Sequence, residues 1–307
     1  MKKQGTALWL PAFAFLLLFG VGLLGFSVKG NADVQRTVPK TVMYVEVNDN
    51  EFNNIGKYTL EGSNKPAIDI GIIFAANINY NSETKKPYLY LNEQVERTLN
   101  DKEEQIQPLQ ARGTKVLLSI LGNHQGAGFA NFESYENADA FAAELAQVVE
   151  KYGLDGIDFD DEYAEYGKNE TPMPNDQSFI WLLQALRGRL GDDKLITLYN
   201  IGPAAENSRF DDRVSKNVDY AWNPYYGTWS APEFPGMDTT RLSAAAVEVD
   251  QNKAQSVQFA KRTLEENYGI FLMYNLKASN SADFLSGITQ ALYEQKTIYT
   301  PSIPSVR

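Results

Sequence analysis

Acidic side chains crowd the segment Leu154–Gly167, which reads LDGIDFDDEYAEYG. The segment opens like a β-strand, and side chains on a strand point alternately to its two faces. The spacing therefore places Asp158, Asp160 and Glu162 on one face and Asp161 on the other. Carboxyl groups a few ångströms apart raise one another's pKa, so we expect at least one of the three to keep a proton.

A carboxyl group that keeps its proton beside an ionised one is suited to general acid chemistry. Glu162 is furthest along the strand and is the expected proton donor, while Asp160 is expected to share a proton or a hydrogen bond with Asp158. The alternative is an acidic loop that solvates the strand end or binds calcium. Calcium loops, however, depend on turn geometry instead of strand alternation.

Short apolar runs alternate with segments of helical period, which is the pattern of βα units around a parallel sheet. The predicted strands are Thr41–Val47, Ile68–Ala76, Lys115–Leu121, Gly153–Phe159, Lys194–Tyr199, Val218–Trp222, Ala244–Val249 and Gly269–Asn275. The clearest helices are Asn92–Arg112, Ala138–Tyr152, Asp176–Leu190 and Ser256–Asn267. Eight strands with interleaved helices predict one (β/α)8 TIM barrel, in which some helices are irregular or shortened. An open doubly wound sheet ranks second, because no glycine-rich phosphate loop follows the first strand.

Composition narrows the classes of function. The 307 residues carry 28 Lys and Arg against 39 Asp and Glu, a formal charge of −11 that disfavours nucleic acid as a partner. The absence of cysteine excludes disulfides, thiolate nucleophiles and Cys-ligated zinc. A single histidine, His124, excludes a multi-histidine metal centre.

The N-terminal segment has the features of a secretory signal peptide. Lys2 and Lys3 precede the nearly uncharged run Leu8–Phe26, and the small-residue site Gly30-Asn31-Ala32 follows it. We therefore expect a signal peptide over residues 1–32 and one domain over 33–307, with a loose tail from about residue 298. Cleavage would give a secreted protein with no membrane partner. An uncleaved anchor is the alternative, because the apolar run approaches the roughly 20 residues that span a bilayer.

The motif DGIDFDDE, from Asp155 to Glu162, resembles the DGxDxDxE signature of glycoside hydrolase family 18. Blocks spread along the chain resemble the bacterial endo-β-N-acetylglucosaminidases of that family. They are FAANINY, LGNHQGAGFANF, DDEYAEYG, LYNIGPAA, DYAWNPYYGTW and YGIFLMYNL. The resemblance covers essentially the whole region after the predicted signal peptide.

The resemblance implies cleavage of the β-1,4 bond between the two core N-acetylglucosamines of high-mannose or hybrid N-linked glycans. In this family the 2-acetamido oxygen of the substrate attacks the anomeric carbon, which gives an oxazolinium ion with net retention. The resemblance implies that Glu162 is the general acid and base and that Asp160 orients the acetamido group. It also implies that Asp158 tunes Asp160 and that Asp155 supports the strand. It implies no metal or other cofactor, N-glycans as partners and a monomer.

Other strand-end residues are weaker candidates. Tyr225, two residues after Asn223, resembles the family's tyrosine that binds the acetamido carbonyl, although it could be only a packed aromatic. Tyr274 stands where many chitinases of the family carry a tryptophan as the floor of the cleavage subsite. The candidates for sugar binding are Asn223, Tyr274, Asn200, Asn79, His124 and Trp229. For His124 and the asparagines, a structural role in the loops is the alternative.

Two rival functions remain. A chitinase or cell-wall glucosaminidase would use the same acids on an unbranched polymer, in a groove lined by several tryptophans. After residue 32 the chain has only Trp181, Trp222 and Trp229. A sugar-binding module on an inactive barrel is the non-enzymatic alternative, and the presence of all three acids argues against it.

Overall fold

Eight successive parallel strands form a barrel in a computed structural model that describes residues 38–304. The strands are β1 (Lys40–Glu46), β2 (Ile70–Asn81), β3 (Lys115–Gly122), β4 (Gly156–Asp160), β5 (Leu195–Tyr199), β6 (Tyr220–Trp222), β7 (Leu242–Ser243 with Ala245–Glu248) and β8 (Ile270–Tyr274). The first part of β7 pairs with β6 and the second part pairs with β8, which closes the ring. The predicted strands and the (β/α)8 class are confirmed.

The helices around the barrel are uneven. They are α1 (Glu93–Asn100), α2 (Lys102–Gln105), α3 (Gln107–Ala111), α4 (Tyr135–Tyr152), α5 (Ser178–Leu190), α6 (Gly202–Ser208), α7 (Asp212–Asn217), α8 (Lys253–Glu265) and α9 (Ala282–Tyr293). The single helix predicted over Asn92–Arg112 is in fact the three short helices α1 to α3. Pro108 has no backbone N–H and cannot continue a helix from α2, so a new one starts there.

Irregular segments replace a helix at two places. After β1 the chain forms the 3₁₀ helix Phe52–Lys57 and the strand Tyr58–Leu60, and after β6 it forms the short strand Thr228–Trp229. A further short strand, Lys86–Tyr90, pairs antiparallel with the end of β2 and forms a hairpin with it. These segments and the short helices give the shortened, irregular (β/α)8 barrel that the sequence predicts.

Side chains alternate between the inside of the barrel and the layer under the helices. On β1, Tyr44 belongs to the inner cluster with Trp222 and Leu272, whereas Val45 and Val47 pack in the outer cluster. This period of two is the expected pleat of a strand. On β4 it directs Asp158 and Asp160 inward.

Asp155 fixes the beginning of β4 at the opposite end of the barrel from the acids. Its carboxylate accepts hydrogen bonds from the backbone N–H of Val116 at 2.9 Å and from Gln110 Nε2 at 2.8 Å. Lys115 Nζ lies 2.9 Å from the other oxygen. Asp155 therefore joins α3 and the beginning of β3 to β4, at the end of the barrel away from the acids.

The tail expected to be loose from about residue 298 is ordered as far as Pro304. Residues Thr297–Tyr299 pair antiparallel with Tyr58–Leu60. Ile303 packs against the outer core, and Arg112 donates to the carbonyl of Pro304 at 2.8 Å. The two prolines suggested a free end, but a strand partner from far back in the sequence holds the segment in place.

The predicted signal peptide over residues 1–32 lies outside the described residues. In the described part of the chain, no helix combines the length and the apolar character that crossing a bilayer requires.

Ending the chain after Lys296 should destabilise the barrel, because it removes the paired strand Thr297–Tyr299 and the packed side chain of Ile303. We expect the free energy of unfolding in urea to fall by about 2–4 kcal/mol. A chain that ends after Pro304 is the matched control and should unfold like the full protein. Equal stability of the two truncated chains would mean that the tail is loose after all.

Candidate active site

Asp158 is a fully buried carboxylate whose two oxygens are both occupied. It accepts hydrogen bonds from Tyr44 Oη at 2.8 Å, Ser119 Oγ at 2.8 Å and Thr197 Oγ1 at 2.6 Å. Trp222 Nε1 donates in turn to the hydroxyl of Tyr44 at 2.8 Å. Burial raises the pKa of Asp158 to about 6, and the three hydroxyls oppose that rise by stabilising the charged form.

Asp160 lies above Asp158 and faces Glu162. It is 1% exposed, and within the described chain its Oδ1 has no hydrogen-bond partner. Burial raises the pKa of Asp160 well above its usual range, and the charge of Glu162 adds to the rise. Burial also raises the pKa of half-buried Glu162, and a hydrogen bond with Asp160 partly offsets this rise.

The pKa directions of Asp160 and Glu162 favour a proton shared between these two carboxyl groups. The expected sharing between Asp160 and Asp158 stays a prediction: three hydroxyls donate to Asp158, and only that of Thr197 reaches its Oδ1. The other part of the prediction, an elevated pKa for an acid in this row, agrees with the pKa directions of Asp160 and Glu162.

Asp161 points away from the barrel interior and fastens three segments. Its carboxylate accepts from Tyr166 Oη at 2.5 Å, from the backbone N–H of Ala204 at 2.7 Å and from that of Phe129 at 3.4 Å. Phe129 follows β3, Tyr166 follows β4 and Ala204 follows β5. Burial raises the pKa of Asp161 to about 7 against these donors. Asp161 thus holds the outer side of the chain between Asp160 and Glu162.

The loops after β3 and β4 run side by side, and two glycines permit the close approach. A Cβ at Gly122 would lie 2.3 Å from the carbonyl oxygen of Glu162. Gly126 has a φ of +88°, and a Cβ there would lie 2.2 Å from the carbonyl oxygen of Lys168. Any larger side chain at Gly122 would displace Glu162.

Aromatic rings line the mouth of the barrel next to the acids. Tyr226 stacks on Tyr274 with ring centroids 4.8 Å apart, and Phe74 meets the edge of Tyr274 at 6.0 Å. The hydroxyl of Tyr199 donates to that of Tyr226. Burial raises the pKa of Tyr226 well above its usual range, with a further contribution from the charge of Asp160. Tyr226 is therefore close to the acids.

The two adjacent tyrosines after β6 have different surroundings, and their positions favour Tyr226 over Tyr225, the residue predicted from the sequence. Tyr225 is 58% exposed, whereas Tyr226 packs against the inner cluster. Asn223 is fully buried, and its amide holds the loop together by donating to Thr228 and to the carbonyl of Ala244 at 3.0 Å. The geometry thus contradicts Tyr225 as the inward tyrosine and Asn223 as a sugar ligand.

Two further candidates also have structural roles. Trp229 packs on the outside of the barrel, against Phe259 of α8 and Tyr268, with the guanidinium of Arg262 4.2 Å from its ring. Asn79 is buried, and its Oδ1 accepts from Asn123 Nδ2 at 2.8 Å. Neither side chain is free at the mouth of the barrel, because α8 covers one and the loop after β3 engages the other.

The remaining candidates lie at the catalytic end of the barrel. Tyr274 forms part of the aromatic lining, and half-buried Asn200 directly follows β5. His124 Nδ1 lies 2.8 Å from Glu165 Oε1, in a half-exposed pair between the loops after β3 and β4. Their roles in binding sugar stay predictions.

The sequence profile of Glycosyl hydrolases family 18 matches residues 40–273, which include all eight barrel strands except the last residue of β8. The chain belongs to this family. Within family 18, an endo-beta-N-acetylglucosaminidase from Flavobacterium sp. (strain SK1022) is 51% identical over 88% of this chain and 85% of its own length. Endo-beta-N-acetylglucosaminidase F1 from Elizabethkingia meningoseptica is 33% identical over 85% of this chain and 80% of its own.

A solved structure has a similar fold. The crystal structure of Bacteroides thetaiotamicron EndoBT-3987 with Man5GlcNAc product has a TM-score of 0.75 and 27% sequence identity. The match covers 88% of this chain and 65% of that one. The family assignment makes this protein a glycoside hydrolase, and the acid row on β4 is its candidate catalytic centre.

Asp161→Asn should flatten the dependence of stability on pH. In the folded protein Asp161 has a pKa of about 7, whereas an unfolded aspartate loses its proton near 4. The folded state therefore binds more protons within this window, and it loses stability as the pH rises from about 4 to 7. Removing the titration should make that fall shallower by up to about 1.4 kcal/mol per pH unit.

Urea denaturation at several pH values from 4 to 8 measures the effect. Asp139→Asn is the matched control, because Asp139 forms a partly exposed ion pair with Arg189. The control should keep the slope of the unaltered protein. Parallel curves for Asp161→Asn and the unaltered protein would contradict the buried position of this carboxyl group.

Proposed function

We propose that this protein is an endo-β-N-acetylglucosaminidase that acts on N-linked glycans of the high-mannose or hybrid kind. It hydrolyses the β-1,4 bond between the two core N-acetylglucosamines and leaves one of them on the protein. The reaction is substrate-assisted and retains the anomeric configuration. Its catalytic groups are Glu162 and Asp160, supported by Asp158 and Tyr226.

The observation that carries this proposal is the unpartnered Oδ1 of Asp160. A buried polar atom with no hydrogen bond is costly, so a site that keeps one is prepared for a ligand that supplies the partner. The N–H of a 2-acetamido group is such a donor. Glu162 follows Asp160, the last residue of β4, by two positions, and two residues of extended chain span about 6.5–7 Å at Cα. The two carboxyl groups can therefore reach the acetamide and the glycosidic oxygen of one sugar.

The first chemical step breaks the glycosidic bond. Glu162 donates its proton to the glycosidic oxygen, the bond from that oxygen to the anomeric carbon breaks, and the acetamido oxygen forms a new bond to the same carbon. Asp160 accepts the acetamido N–H and stabilises the positive charge that develops on the ring. Tyr226 accepts a hydrogen bond from Tyr199, so its own hydroxyl proton is available for the acetamido oxygen.

The second step releases the product. Ionised Glu162 removes a proton from water, whose oxygen attacks the anomeric carbon while the bond to the acetamido oxygen breaks. Glu162 ends the cycle protonated, as it began. Asp158 stays ionised below the pair, because three hydroxyls donate to it, and its negative charge favours a proton on Asp160 until the substrate binds.

The relatives support this choice of bond. Two relatives that match most of the chain are named endo-beta-N-acetylglucosaminidases. The structure of EndoBT-3987 was solved with Man5GlcNAc as its product. A probable class II chitinase is 34% identical over 27% of this chain, which keeps chitin as the second substrate to test.

Glu162→Gln should abolish hydrolysis, because the amide cannot donate the proton that the leaving group needs. Asp160→Asn should lower the rate as well, because the acetamido group loses its negatively charged partner. We expect losses of at least about 1,000-fold and 100-fold in kcat, respectively. Intact mass of a glycoprotein with high-mannose glycans, before and after incubation, measures the reaction.

Glu265→Gln, on the exposed side of α8, is the control and should cleave like the unaltered protein. A product that keeps one N-acetylglucosamine per site supports the proposed bond. Full activity of Glu162→Gln would overturn the catalytic assignment. Cleavage of chitin oligomers with no change in the glycoprotein would support the chitinase reading.

We also propose that the protein is secreted after cleavage behind Ala32 and acts as a monomer. The support is the charged start, the apolar run and the small-residue site of the first 32 residues. Expression of the full chain in a secreting bacterial host should release a protein whose first residue is Asp33. N-terminal sequencing of the released protein tests this. A chain that keeps Met1 and sediments with membranes would instead indicate an anchor.

A further inference from the structure

The barrel wall opposite the acid row carries two more carboxylates. In a ring of eight strands, β8 lies across from β4, and β7 and β1 flank β8. Tyr274 is at the end of β8, Glu248 at the end of β7 and Glu46 at the end of β1. A polar pair and an aromatic ring thus face Asp160 from across the mouth.

Strand register directs both side chains into the barrel. Glu248 pairs with Tyr274, and residues paired in parallel strands point to the same face. Ala246, two residues before Glu248, belongs to the inner cluster. Glu46 pairs with Phe74 and follows inward-facing Tyr44 by two residues. Glu248 is therefore level with the ring of Tyr274, and Glu46 lies one layer nearer the opening.

Both carboxylates have few protein partners in the described chain. Glu46 accepts hydrogen bonds from Asn48, from Nδ2 at 2.7 Å and from the backbone N–H. Glu248 accepts only from Asn275 Nδ2 at 3.3 Å, which leaves its other oxygen free. Neither forms an ion pair with a lysine or arginine of residues 38–304. Burial raises the pKa of Tyr274 to about 12, and the charges of Glu46 and Glu248 add to it, so both lie near the ring.

The opposite side of the same space contains the unpartnered Oδ1 of Asp160. A ligand in this space must therefore present a polar donor on one side and hydroxyl groups on the other, with an apolar ring face against Tyr274. A pyranose with a 2-acetamido group fits that description. When the acetamide meets Asp160, the 6-hydroxymethyl group lies on the far side of the ring.

We propose that Glu248 binds the 6-hydroxyl of the N-acetylglucosamine whose bond is cleaved, and that Glu46 binds a hydroxyl of the next sugar toward the opening. This assignment rests on the proposed function. A hydroxyl that donates to a carboxylate forms a charge-assisted hydrogen bond, which is stronger than a neutral one. Glu248 thereby fixes the ring so that its acetamido group reaches Asp160, and Glu46 holds the neighbouring sugar.

The test compares two substrates with the full chain and its variants. One substrate is an asparagine-linked high-mannose glycan, and the other is the same glycan with a 6-deoxy sugar at the cleaved position. We expect Glu248→Ala to lower kcat/KM for the normal substrate by about 100-fold and Glu248→Gln by about 10-fold. With the unaltered protein, kcat/KM for the deoxy substrate should be about 100-fold lower than for the normal substrate. Replacing Glu248 by Ala should lower kcat/KM for the deoxy substrate little further.

If Glu248 had only a structural role, removal of the 6-hydroxyl would lower kcat/KM by the same factor in Glu248→Ala and in the unaltered protein. That result would overturn the assignment. If Glu248→Ala does not fold, the same comparison of the two substrates between Glu248→Gln and the unaltered protein decides the question. Glu265→Gln is the control and should match the unaltered protein on both substrates. If the unaltered protein cleaves neither glycan, the proposed function itself fails.

Discussion

The site depends on the burial of carboxyl groups that have no buried cation beside them. Asp158, Asp160 and Glu162 stand in one row, and no lysine or arginine of the described chain forms an ion pair with any of them. Taking a carboxylate out of water favours its neutral form, so the row must keep a proton. That proton is what a glycosidic oxygen needs when its bond breaks.

Hydrogen bonds inside the barrel determine which carboxyl groups keep the proton. Hydroxyls from β1, β3 and β5 converge on Asp158 and stabilise its negative charge, so the proton is left to Asp160 and Glu162. On the outer face, Asp161 fastens the loops after β3 and β5 and so fixes the chain between the two catalytic acids. The chemistry therefore depends on hydrogen bonds between strands that are distant in sequence.

This distribution explains which parts of the site the sequence predicts. The period-two alternation on β4 predicts that Asp158 and Asp160 share one face, because it depends only on neighbouring residues. The hydrogen-bond partners of Asp158 could not be predicted from the sequence, because Ser119 and Thr197 become its neighbours only through strand register. The sequence does not distinguish Tyr225 from Tyr226 by alternation, because the turn after β6 is irregular and the period of two does not continue through it.

The central claim is that Asp160 and Glu162 share a proton in a buried pair. Carbon-13 NMR titration of the protein labelled at its Asp and Glu carboxyl groups tests it directly, with Glu162→Gln and Asp160→Asn used to assign the signals. We expect Asp160 to titrate well above the usual range of an aspartate and to move to lower pH in Glu162→Gln, which lacks the neighbouring charge. An Asp160 signal that titrates near pH 4 in both proteins would contradict the account.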